Sequence, residues 1–401
     1  MRNLGQALVK LFVSLRLTVV LLALGIVLVF VATLAQTQLG VWGVQQQYFH
    51  TFFAFPVFRN LPLIGTLRFI MPGGYLVGGL LLLNLVAAHI YRFHFTWKKF
   101  GIWLAHFGVI LLLIGELLSG LWQEDYAMRI AEGQTKTYSE HYHHKELAIV
   151  DTTNPDYDEV VAIPEAFLAQ REPLQHAKLP FRIVVHDYFP NSGLGMRDPK
   201  STTPAQATAG LGLSVVAMPE PVVYSDKIPN APAATIELVT ASGSIGTWLV
   251  STGFSPESAA PILRTPQTFN YDGHTYSIAL RPARTYRPFS LTLLKFSHDV
   301  YAGTDIPKNF SSKLRLTSPG GRDDRDVLIY MNNPLRYAGL TFYQASYEGE
   351  HTTVLQVVRN PSWTLPYISC SLVSLGLLVQ FGISLVGFMA RRSATVTPVQ
   401  P

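Results

Sequence analysis

Four apolar runs constrain this chain more than any other feature. Leu17 to Leu34 is uninterrupted and closes at Ala35 and Gln36. Ile70 to Ile90 and Ile102 to Leu121 follow, and after a long polar stretch Tyr367 to Met389 ends just before Arg391 and Arg392. At about 1.5 Å per helical residue, each run is long enough to cross a hydrocarbon core of about 30 Å. Lipid offers no water to the backbone polar groups, so such runs must be helices. The spacing predicts an integral membrane protein with spans over 17–36, 70–91, 101–121 and 365–389. A loop at 37–69, a turn at 92–100 and one large domain at 122–364 separate them, with short ends at 1–16 and 390–401.

The basic residues predict the orientation. Arg2, Lys10 and Arg16 precede the first run, Arg92, Lys98 and Lys99 fill the turn between the second and third, and Arg391 and Arg392 follow the fourth. The longer 37–69 loop carries only Arg59 and Arg68. Short basic segments stay in the cytoplasm, which puts both termini on the inner side of the membrane and the 122–364 domain outside it. Five of the six tryptophans (Trp42, Trp97, Trp103, Trp122 and Trp363) sit at or beside the ends of the runs, as an interfacial belt would place them. The first run imitates a secretory signal up to Thr33-Leu34-Ala35. It exceeds the roughly 7–15 residues of a signal's apolar region, and is expected to remain as an anchor.

The single cysteine, Cys370, lies inside the fourth run. With no Cys-x-x-Cys, thioredoxin-type chemistry is excluded, and an exported domain of this size must be held by its core rather than by disulfides. The formal net charge of +5 owes much to the residues flanking the spans and makes no case for nucleic acid. There is no Gly-x-Ser-x-Gly nucleophile motif, and no phosphate-binding lysine loop, so energy coupling by ATP is not written here.

The large domain reads as mostly β. Phe181 to Tyr188, Ala234 to Val239, Thr247 to Ser251, Ser290 to Phe296, Leu314 to Thr317, Val327 to Tyr330 and Thr353 to Val358 are rich in β-formers. Asp272-Gly273 between Tyr271 and His274 predicts a tight hairpin. Turn signals at short intervals favour a sandwich or meander over a βαβ fold. The Pro190–Gly212 stretch, rich in Pro, Gly, Ser, Thr and Ala, is expected to be a loop or a disordered insert.

Two strings stand out near the end of this domain. They are Phe296-Ser-His-Asp-Val-Tyr-Ala-Gly-Thr-Asp-Ile-Pro-Lys-Asn-Phe-Ser-Ser312 and Met331-Asn-Asn-Pro-Leu-Arg-Tyr-Ala-Gly-Leu-Thr-Phe-Tyr-Gln-Ala-Ser-Tyr347. Together with Ser14-Leu-Arg-Leu-Thr-Val-Val20 and Ala105-His-Phe-Gly108, they resemble the ResB (CcsB) family of cytochrome c biogenesis proteins. The resemblance implies a subunit of a two-part membrane machine that moves haem outward and attaches it to apocytochrome c. The partner it implies is a CcsA-type protein bearing a tryptophan-rich haem-handling segment. No Trp-Gly-x-x-Trp or Trp-Trp-Asp string occurs here, so this chain is expected to be the half that needs that partner and not a catalyst alone. Thiol-reducing proteins enter indirectly, by keeping the client cysteines reduced.

Ionisable residues inside spans are costly and mark functional sites. Three occur: His89 near the inner end of the second span, His106 about one and a half turns into the third, and Glu116 towards its outer end. Neutral imidazole ligates haem iron, and the resemblance places the family's intramembrane haem histidine in the third span, at His106. His106 reads either as the axial haem ligand or as a hydrogen-bonded packing histidine. His89, three residues from Arg92, reads as an interfacial histidine or a second ligand. Glu116 lies near enough to Trp122 to reach water or a helix partner.

In the large domain, His141, His143 and His144 invite a metal reading, but no carboxylate or cysteine cluster surrounds them and a solvated loop is expected. His298, Tyr343, Gln344 and Tyr347 are candidate contacts for apocytochrome or partner. Tyr337, Phe342, Tyr343, Gln344 and Tyr347 also read as the aromatic core of the last hairpin. The main alternative is a non-haem membrane scaffold for assembling an exported or respiratory complex. A third reading is a b-type quinol-linked electron carrier, for which only His89 and His106 are available as ligands.

Overall fold

The computed structural model describes residues 9–61, 65–92, 95–198, 205–223, 230–255, 260–300 and 307–394, with Gln6, Ser258 and Gly303. The chain divides into two compact units, one built from residues 1–124 and 359–401 and the other from 125–223 and 227–358.

Among the described residues, the first unit holds four long helices: α1 (Leu15–Val44), α2 (Gly74–Tyr91), α3 (Phe100–Trp122) and α4 (Leu365–Ala394). All four are long and apolar enough to cross a membrane. Ile26, Leu378 and Phe381 are 70–72% exposed on their outer faces. In a water-soluble protein such faces would be aggregation sites, whereas lipid or partner helices cover them at no cost.

Polar side chains and small residues fix the helix contacts. Asn84 of α2, 1% exposed, accepts a 2.6 Å hydrogen bond from Thr18 Oγ1 and donates one of 2.6 Å to the Phe12 carbonyl, tying α2 to the start of α1. A seam of Gly101, Gly108 and Gly115, one every seven residues, lets α3 meet α4. A Cβ at Gly101 would stand 2.5 Å from the Gly376 carbonyl oxygen, and one at Gly108 would stand 2.7 Å from Val373. Close approach through small residues is how helices associate in lipid, where burial of apolar surface gives little gain. Gln380 of α4 spans the joint, accepting from Ile102 N and donating to the Lys98 carbonyl, each at 3.3 Å. It thereby satisfies backbone groups at the start of α3 that have no partner within the helix.

Between α1 and α2 the chain folds back on itself. Helical geometry breaks at Gly40 (φ 65°, ψ 177°) and the path continues to a π-helical turn, Gln45–Phe49. Phe53–Ala54 then pairs with Met71–Pro72. Gly73 and Gly74 lie against the backbone of Thr51 and Phe49, at positions where a Cβ would stand 2.3 Å and 2.4 Å from carbonyl oxygens.

The second unit is mostly β, and its named strands pair antiparallel. Its spine is the 27-residue strand His274–Val300, bonded along its length to Thr135–Asp151 and then to Pro307–Thr317. Register shifts at Pro282/Arg284 and Tyr286/Leu291 divide that strand in two. Ile278 and Leu280 feed one core with Leu147, Ile183 and Ile236, while Leu291 and Leu293 feed another with Leu316, Phe342 and Val357. The expected hairpin forms, with Tyr271 paired to His274 across Asp272 (φ 52°) and Gly273 (φ 77°), both left-handed as a tight two-residue turn demands.

Two expectations change. In the Pro190–Gly212 stretch, Ser192–Met196 is a strand paired with Val215–Pro219, and Gly210–Leu213 is a 3-10 turn; residues 199–204 lie outside the described residues. Glycine-rich sequence has weak strand propensity, but pairing with a β-branched partner outweighs it. His141, His143 and His144 are also not in a free loop. They lie within the strand Thr135–Asp151, in the register shift opposite Ala283, with the His141 and His144 rings 4.2 Å apart. No group of three or more metal-ligating side chains occurs among the described residues.

Candidate haem site and the family segment

α2 and α3 run in opposite directions from a short turn, which carries Lys98 and Lys99, and this brings their histidines together. The rings of His89 and His106 lie 5.3 Å apart, tilted by 47°. On α3, His106 Nδ1 is 2.8 Å from the Ile102 carbonyl oxygen one turn back. A carbonyl only accepts, so Nδ1 carries the hydrogen, and in the neutral ring the lone pair falls on Nε2. Backbone bonding of this kind sets the tautomer of metal-ligating histidines. His89 bonds the Leu85 backbone, also one turn back, and its Nε2 is shielded from solvent. His106 itself lies on an exposed face of α3, beside the stacked rings of Trp103 and Phe107.

The spacing bears on how the pair would hold a haem. Two imidazoles on opposite faces of one iron point their nitrogens at each other about 4 Å apart, twice a metal–nitrogen bond of about 2 Å. Their ring centres stand farther apart than that, beyond the 5.3 Å found here. As placed, the rings fit one ligand and one neighbour better than a sandwich.

Glu116 lies towards the other end of α3. It lines a cavity of about 440 Å³ whose walls include His50, Tyr75, Gln36 and Gln45. His50 stacks on Tyr75 with centroids 5.6 Å apart and planes 9° from parallel. The sequence singled out neither residue; the glycine break at Gly40 and the Gly73-Gly74 pair were the available signals.

In the β unit, His298 and Tyr347 come together. Their rings stack at 5.0 Å, with Phe296 5.8 Å from His298 and Phe310 5.8 Å from Tyr347. Tyr343 is 39% exposed. Gln344 instead turns into a polar network, accepting from Ser312 Oγ at 2.6 Å and donating to Thr353 Oγ1 at 2.9 Å, where both hydroxyl residues are fully buried. A register shift between Gln344 and Ser346 turns it inward. The Asn-Pro-Leu-x-Tyr-x-Gly string also has a local meaning, because Ala338 (φ 50°) and Gly339 (φ 75°) make the turn that pairs Tyr337 with Leu340.

Comparison with known proteins bears out the resemblance to the ResB (CcsB) family. Residues 265–354, which hold both distinctive strings, match the ResB-like family. Over 113 residues the chain is 33% identical to Protein NrfI of Wolinella succinogenes, covering 28% of this chain and 12% of that protein. Proteins of two Synechococcus strains, each named cytochrome c biogenesis protein CcsB, are 40% identical over 79 and 87 residues. Those matches cover 19% and 22% of this chain and 17% and 19% of theirs. The chain thus spans less than a fifth of the length of each of these relatives.

Proposed function

We propose that this chain is a membrane subunit of cytochrome c biogenesis that receives haem at His106 and, with a CcsA-type partner, passes it outward to apocytochrome c. The observation that carries the reading is the His106 ring itself, held by the Ile102 carbonyl in the tautomer that presents Nε2 to iron. Its exposed face leaves room for a flat macrocycle or a partner helix. His89 stands beside it as the neighbour that packs or tunes, and a partner residue completes the coordination. The family segment at 265–354 and the names of the CcsB relatives support the biogenesis role.

The distribution of Lys and Arg puts the termini and the Lys98–Lys99 turn on the cytoplasmic side. His106 lies seven residues past Lys99, about 10 Å along the helix, where it meets haem in the inner leaflet. The β unit, outside, presents the client. Haem supplies the reactive vinyl groups, and the client's reduced cysteines add to them to form thioethers. The protein's part is orientation and access.

The test is His106→Ala, co-purified with the CcsA-type partner. Alanine keeps the helix, so assembly should persist while haem content, read from the absorption spectrum, falls along with cytochrome c maturation. Added imidazole should partly restore both. His89→Ala should have the smaller effect. If His106→Ala keeps full haem and maturation while His89→Ala loses them, the ligand sits on α2. If neither changes haem content, the chain is a scaffold and the proposal fails.

A further inference from the structure

The cavity at the end of the helices opposite His89 and His106 has a construction of its own. It lies among α1, α2 and α3, and its walls are mostly aliphatic and glycine, with polar groups from Gln36, Gln45, His50, Tyr75 and Glu116. Its volume of about 440 Å³ falls in the range of small-molecule sites, roughly 300–1,000 Å³. Gly78 and Gly79 line it, and a Cβ at either would meet nothing within 4 Å, so these positions keep the volume open.

His50 and Glu116 define the chemistry. His50 is delivered by the π-helical turn, its N–H bonded to the Gln45 carbonyl at 2.7 Å; such turns recur at functional sites. Gln46 Nε2 lies 3.3 Å from His50 Nδ1. An amide nitrogen only donates, so Nδ1 accepts and the hydrogen of the neutral ring sits on Nε2. This is the opposite tautomer to His106. It suits His50 to donate to an oxygen and not to ligate iron. Gly120 lets this edge of the ring pack close to α3, since a Cβ there would stand 3.1 Å from His50 Nε2. Glu116, close enough to His50 to act on it electrostatically, offers a carboxyl group to a hydroxyl.

We propose that this cavity binds a lipid-soluble quinone or quinol, its ring between the α2 glycines and α3, one ring oxygen accepting from His50 Nε2 and a hydroxyl bonding Glu116. A neutral ring with oxygens on its edge matches one donor and one carboxyl group. Haem matches them poorly, because its two carboxylates would meet the Glu116 side chain and its iron would meet an N–H. The aliphatic walls contributed by Val44, Leu82 and Leu113 suit an isoprenoid tail. The proposal concerns binding and invokes no electron transfer.

The test uses the full-length chain in nanodiscs, titrated with decylubiquinone and followed by quenching of tryptophan fluorescence. Saturable binding is expected. Gly78→Leu, which fills the cavity, should abolish it. His50→Phe, which keeps a ring over Tyr75 but loses the donor, and Glu116→Ala should each weaken it about tenfold, the worth of one hydrogen bond of about 1.4 kcal/mol. His106→Ala should bind as the parent does, so the outcome is separable from that of the haem reading. Absence of saturable binding, or affinity unchanged by Gly78→Leu, overturns the proposal. So does equal competition by a farnesol tail lacking the ring. A haem absorption band lost in His50→Phe but kept in His106→Ala would make the cavity a haem site and also overturn it.

Discussion

Gly101→Val probes the α3–α4 joint most sharply. At position 101 a Cβ would stand 2.5 Å from both the Gly376 carbonyl oxygen and the Gln380 backbone nitrogen. A non-bonded contact to carbon needs about 3.5 Å, so the α4 backbone must retreat by about 1 Å. The same movement stretches the two Gln380 hydrogen bonds, each 3.3 Å, beyond the distance at which they hold. Forcing extra carbon into a packed contact costs about 1–3 kcal/mol, and each lost hydrogen bond about 0.5–1.5 kcal/mol. The expected loss is therefore about 2–6 kcal/mol, with Gly101→Ala already showing much of it. The assay is unfolding of the purified full-length chain in mixed micelles, followed by circular dichroism. Gly382→Ala on α4, where a Cβ meets nothing within 4 Å, serves as the control and should be neutral or slightly stabilising. If Gly101→Val unfolds within about 0.5 kcal/mol of the parent, the seam does not hold the helices as argued.

Two further expectations concern the β unit. The Thr153 hydroxyl, the Thr153 backbone N–H and His274 hold the Asp151 carboxyl below its ordinary pKa of 3.8. The folded state therefore favours the carboxylate. Its contribution is present above about pH 4 and disappears as the pH falls through the depressed folded value. Thermal unfolding of the full-length chain against pH should show that acid loss, and Asp151→Asn should flatten it; equal slopes would discount the network. Gln344→Leu should cost about 1–3 kcal/mol, because it strands buried hydroxyl groups, whereas Tyr343→Ala on the exposed position should stay within about 0.5 kcal/mol. A reversal in the unfolding of the two variants would mean that Tyr343, not Gln344, is the buried residue.

The sequence by itself determined what depends on local physics. Helix is the only backbone state that satisfies its own polar groups in lipid, so four apolar runs sufficed to announce four helices. Likewise Asp272-Gly273 announced a turn, because only residues that tolerate left-handed backbone close so short a hairpin. His106 and Glu116 were legible as costly groups inside spans. Other features depended on partners far along the chain. His89 read as interfacial or as a second ligand, and the antiparallel path of α2 and α3 sets its ring 5.3 Å from His106. His50 carried no signal, since its place over Tyr75 depends on the break at Gly40 and the close approach at Gly73 and Gly74. Gln344 read either as part of the last hairpin's core or as a contact, and a bulge turns it toward Ser312 and Thr353. Gln380 caps a helix that begins 280 residues earlier in the chain. Composition and periodicity report which face is apolar and for how long. Which side chains meet is decided by register, helix path and the few glycines that let two backbones touch, and those are properties of the folded chain.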